Sequence, residues 1–138
     1  MASQIAIIPV VVIGLILAIL EIVFVHKDEA GMGWPKHALH AIPTMFIFIF
    51  ISMNIDYVVV DLLKLQLQTW MTIGIRVLIG VIAAAKISAA AAVAGKVGEK
   101  LPHTLVIAAL VMVSPFIWDL VLCNIAFIKT LPLSGCKA

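Results

Sequence analysis

The chain has 138 residues, 64% of them hydrophobic and 12% charged, with a mean hydropathy of +1.26 and a formal net charge of +2. Soluble domains carry about 25% charged residues, so the composition excludes an ordinary water-soluble core with a solvated surface. So small and dispersed a charge also excludes nucleic acid as a partner, and leaves a lipid bilayer as the main solvent.

An all-α, polytopic membrane protein follows. A hydrocarbon layer about 30 Å thick takes about 20 apolar residues in helical form. Four such runs occur, at about 5–25, 43–63, 70–94 and 103–128. Together they predict one transmembrane domain, four helices in an antiparallel bundle integral to the cell membrane, with no soluble domain to house catalysis. The first run is too long for a secretory signal, follows no basic residue and precedes no small-residue cleavage site, so a retained helix is expected. Four spans put both termini and the loop in the 60s on one side, here called side A, and the other two loops on side B. Lys64, Lys129 and Lys137 fall on side A and Lys27, Lys36, Lys96 and Lys100 on side B. The basic-residue rule thus favours a cytoplasmic side B by a narrow margin.

In helix one, Gly14, Ala18 and Glu21 share a face through their spacings of four and three. The loop that follows ends in Trp34, suited to the headgroup level, and Pro35, suited to the first position of a helix. A short interfacial helix from Pro35 toward Ile42 is predicted, with Pro43 bending the chain into the second span. His26, Asp28, Glu29, His37 and His40 crowd the same region. Imidazole with carboxylate suits zinc, copper or iron, so these five are candidate ligands for a divalent metal. They match no HExxH pattern or cysteine pair, and a solvated polar loop accounts for them equally. Imidazole also titrates nearest neutrality, which makes pH sensing a further option.

Helix two presents Asn54, Asp56 and Tyr57 near its end. From Asp61 to Gln68 leucine alternates with polar residues, read as a frayed interfacial turn because an open strand edge cannot lie in lipid. Helix three carries Gly80, Ala84, Ser88 and Ala92 at four-residue intervals. Small residues so spaced let helices approach closely, marking helix three as central or oligomer-forming. Gly95 and Gly98 end it, and Pro102 with His103 opens helix four. There Pro115 lacks a backbone donor and predicts a kink beside Asp119, with Ser114 placed to satisfy the freed carbonyl. Cys123 reads as a small apolar filler and Cys136 as a tail thiol, since their spacing matches no metal or redox motif.

Five ionisable residues lie within these apolar runs: Glu21, Asp56, Arg76, Lys86 and Asp119. Each costs about 2.5–3.5 kcal/mol to insert, so such residues normally face a bundle interior or mark a pathway. At about 1.5 Å per residue, Glu21 and Lys86 fall at roughly 6 and 12 Å below side B, a gap a lysine stem can span. Asp56, Arg76 and Asp119 share a layer roughly 9–14 Å from side A. Arg76 is predicted to bridge both carboxylates through its guanidinium fork, with Asn54 and Tyr57 as further hydrogen-bonding groups. Two acids on one base leave a surplus carboxylate as candidate proton carrier. The competing reading of both clusters is charge-paired glue that fixes helix register.

Three functions fit. The first is an oligomeric ion- or proton-coupled transport protein using Glu21, Asn54, Asp56, Arg76, Lys86 and Asp119. The second is an accessory subunit of a larger membrane complex, and the third a membrane metalloprotein using the first loop. Neither heme nor nucleotide is expected; no histidines pair across facing spans to ligate a heme iron. The partners are then the bilayer and copies of this chain or other membrane subunits.

Overall fold

The computed structural model describes residues 4–28, 34–93, 101–131 and 135–136, without the side chains of 28, 34, 36, 37, 87 and 90–93. Among these residues the fold is entirely helical. In order come α1 (Ile7–Asp28), α2 (Trp34–Met53), a π-helical turn (Tyr57–Leu62), α3 (Thr69–Val93) and α4 (Leu101–Leu120). A 3₁₀ turn (Leu122–Asn124) and the short α5 (Ala126–Lys129) follow.

Helices α2 and α4 pack on each other and on both α1 and α3. They occupy the middle of the bundle, whereas α3, expected there from its small residues, packs chiefly on α2 and α4. The core is apolar and closed: Met45, Ile49, Ile107 and Val111 are wholly buried, with Ile13, Leu17, Ile79 and Trp118 around them. The outer faces are apolar too, with Leu15, Ile19, Val23, Val81, Leu105 and Phe116 exposed. So much exposed apolar surface is foreign to a soluble monomer and suits lipid. Three stretches, Ile7–Lys27, Thr69–Lys86 and Leu101–Asn124, are long and apolar enough to cross a membrane, while that of α2, Ala38–Met53, is shorter.

The predicted interfacial helix is not a separate element. Its residues open α2, which continues through Pro43. Proline removes a single N–H, and the buried stripe of Ala38, Ala41, Met45, Ile49 and Ser52 runs on either side of it at helical spacing. Thr44 adds a hydroxyl bond to the His40 carbonyl at 2.9 Å in the same turn. After Met53 the helix loosens at Asn54, then widens into the π-helical turn, which ends at Leu62 two residues before Lys64 takes a positive φ of 57°. Residues 63–68 form neither helix nor strand, in keeping with an interfacial turn.

Helix α4 also passes through its proline. Pro115 cannot donate to the Val111 carbonyl four residues back, and the Ser114 hydroxyl donates to that oxygen instead, at 2.8 Å. The helix then stops at Leu120, short of the expected end near 128. The Asn124 side-chain amide donates to the Leu120 carbonyl at 2.7 Å, capping the helix where backbone donors run out.

Close helix approach depends on two glycines. A Cβ on Gly14 would fall on the Phe46 ring of α2, and one on Gly80 on the Met112 side chain of α4, whereas Gly74 faces open space. Of the predicted packing stripe, Gly80 is buried, Ala84 half-buried and Ser88 exposed; the Ala92 side chain lies outside the described residues. Four residues overshoot a helical turn by about 40°, so the stripe winds off the contact. The inward face continues instead through Ile79 and Ala83.

Candidate functional site

Glu21 is fully buried, on the inward face of α1 with Leu17, Ala18 and Val25. The rings of Phe24 and His103 stack with centroids 4.4 Å apart and planes 10° from parallel, bringing the start of α4 beside the end of α1. His103 thus opens α4, as expected. Glu21 lies one turn back from Phe24, and α4 has Thr104 and Ile107 buried close to His103. Lys86, the expected partner of Glu21, is exposed on α3. Equal depth says nothing about azimuth, and α3 packs chiefly on α2 and α4.

Toward side A, Arg76 lies in the fields of both Asp56 and Asp119, and these are the charges that act on it. A further neighbour of Arg76 is an aromatic ring. The guanidinium carbon lies 5.4 Å from the centroid of the Phe116 ring, within reach of a cation–π attraction. Arg76 Nε is buried with no hydrogen-bond partner. Because α4 ends at Leu120, Asp119 sits on its last turn and is exposed, as is Asp56 at the lip of the π-helical turn. Asp119 is nearer the end of its helix than a span ending at 128 implied.

Asn54 has a structural task. Its Oδ1 accepts the Ala6 backbone N–H at 2.6 Å and its amide donates to the Phe50 carbonyl at 3.0 Å. It caps α1 from the end of α2. Tyr57 beside it is half-buried.

Other side-A residues were absent from the expected set. Asp119, Cys123, Asn124, Lys129 and Gly135 line a cavity of about 270 Å³, so Lys129 faces the same space as Asp119. Asp119, one of the two acids expected around Arg76, therefore has a second base in the same cavity lining. Gln4, Ile5, Ala6 and Gly135 line a neighbouring cavity of about 160 Å³. Cys123 and Cys136 are not filler and free thiol; they form a disulfide, with Cα atoms 5.5 Å apart. Two cysteines in the chain allow one internal pairing, but only the fold brings Cys136 to Cys123.

In the first-loop region His26 and His40 are exposed, while the Asp28 and His37 side chains and the whole of Glu29 lie outside the described residues. Among the described residues no group of three ligating side chains could hold a metal ion.

Fold and site together define an all-helical bundle with membrane-compatible helices and, among the described residues, a fully buried acid at Glu21. Comparison with known proteins finds no family, curated relative or solved structure that matches the chain.

Proposed function

We propose that the chain is an integral protein of the plasma membrane, crossing it four times, and that it moves protons or small cations as an oligomer. The observation that carries this reading is Glu21, an acid with no exposed surface on a helix long and apolar enough to span. Intramembrane acids are costly and concentrate on ion pathways. Four crossings are supported by the meeting of the chain's two ends, since Gly135 lines one cavity with Gln4, Ile5 and Ala6. Neighbouring ends require an even number of crossings, and α2 continued by its π-helical turn supplies the fourth. In this reading the Asp56, Arg76 and Asp119 layer is the side-A station and Glu21 the station toward side B.

The wholly buried apolar middle, Met45, Ile49, Ile107 and Val111, favours a second reading. In it the charges only hold register within an accessory subunit. Transport through such a plug needs either a helix movement or a path between copies. Proton flux into liposomes separates the readings: flux above that of protein-free vesicles, weakened by Asp119→Asn and Asp56→Asn, supports transport. Background flux from the folded wild type, together with co-purification of a stoichiometric membrane partner, supports the accessory role.

A further inference from the structure

We propose that side A faces an oxidising compartment, and that the Cys123–Cys136 disulfide straps the C-terminal segment across that end of the bundle. The inference rests on the four-crossing reading for the position of the loops. Its own foundation is the disulfide. The chain's two cysteines are separated by 13 positions and lie with Cα atoms 5.5 Å apart, in the range that a disulfide spans without backbone movement. Such bonds persist in secreted, periplasmic or lumenal settings, whereas the cytosol keeps thiols reduced.

The bond has a definite geometric effect. It fixes Cys136, and so its neighbour Gly135, whose positive φ of 70° suits a residue without Cβ. Gly135 lines both side-A cavities, the one with Asp119, Asn124 and Lys129 and the one with Gln4, Ile5 and Ala6. Through Cys136 the bond holds Gly135 beside Gln4, Ile5 and Ala6 and in the lining of the cavity that Asp119 also lines. The lysine distribution, three on side A against four on side B, points the same way under the basic-residue rule. Formation is an exchange. The two thiols join Sγ to Sγ while the disulfide of an oxidoreductase in that compartment is reduced to its dithiol and takes up their two protons and two electrons.

The test uses the full chain in the membrane of intact cells. Proteins are acid-trapped, denatured and alkylated before and after reduction. The proposal requires no alkylated cysteine before reduction and two after; two free thiols beforehand overturn it. Reporter cysteines are then added singly at Gln4, Lys27 and Lys64 with the disulfide left in place, since the bonded pair does not react with maleimide. A membrane-impermeant maleimide should label Gln4→Cys and Lys64→Cys in intact cells, and Lys27→Cys only after permeabilisation. The reverse pattern overturns the compartment assignment but keeps four crossings. Labelling of Gln4→Cys and Lys64→Cys from opposite sides removes the four-crossing reading itself.

Discussion

Ser114 and Pro115 form a unit in which one residue creates a need and the other meets it. Ser114→Ala leaves the buried Val111 carbonyl without its donor, at a cost of about 1–3 kcal/mol. In a Pro115→Ala background the backbone N–H returns, and the same serine change should cost much less; unfolding of the four variants in mixed micelles measures this coupling. Ser114 was legible because proline's missing donor is a fact of the sequence. Asn54 was not, since it serves Ala6, 48 residues away, and only the folded chain brings a helix start to that amide. Asn54→Ala should cost about 1 kcal/mol, as loss of a helix cap does, read as a lowered unfolding midpoint in micelles. Glu21 was visible as an acid in apolar text. Its full burial was not, because depth along a helix is readable from sequence and direction around it only weakly.

The helices themselves were largely legible from run length and hydropathy, and their ends and faces much less so. The exact four-residue stripe on α3 drew attention to Gly80, Ala84, Ser88 and Ala92, but helical drift carries Ser88 outward while Ala83 turns in. α4 was read as too long because a side-chain cap from Asn124 leaves no mark in apolar periodicity. Three glycines test the packing. Gly14→Ala should cost about 1–3 kcal/mol, the usual penalty of overpacking, because its Cβ meets the stiff Phe46 ring. Gly80→Ala should cost less, since Met112 is flexible and repacks. Gly74→Ala, facing open space, should gain about 0.5–1 kcal/mol through helix propensity. Unfolding midpoints in micelles should follow the order Gly74→Ala, wild type, Gly80→Ala, Gly14→Ala, from most to least stable.

For the whole molecule, an apolar exterior and a closed apolar middle separate two polar layers, one around Glu21 and one around Arg76. The disulfide joins Cys123 to Cys136 and so holds Gly135 beside Gln4, Ile5 and Ala6. Reducing it should lower stability by about 3 kcal/mol, the chain-entropy value for a loop of this length, which unfolding with and without reductant would register. The composition announced the membrane, whereas the disulfide, the capping asparagine and the base facing Asp119 required the fold. If Glu21 is the buried station of an ion path, its carboxyl group is indispensable to flux and its shape is not. The most direct test compares proton flux in liposomes holding equal amounts of folded wild type and Glu21→Gln. The account predicts flux in the wild type well above that of protein-free vesicles and a fall to that baseline in the variant. Wild-type flux at the baseline, or equal flux from both proteins, would contradict it.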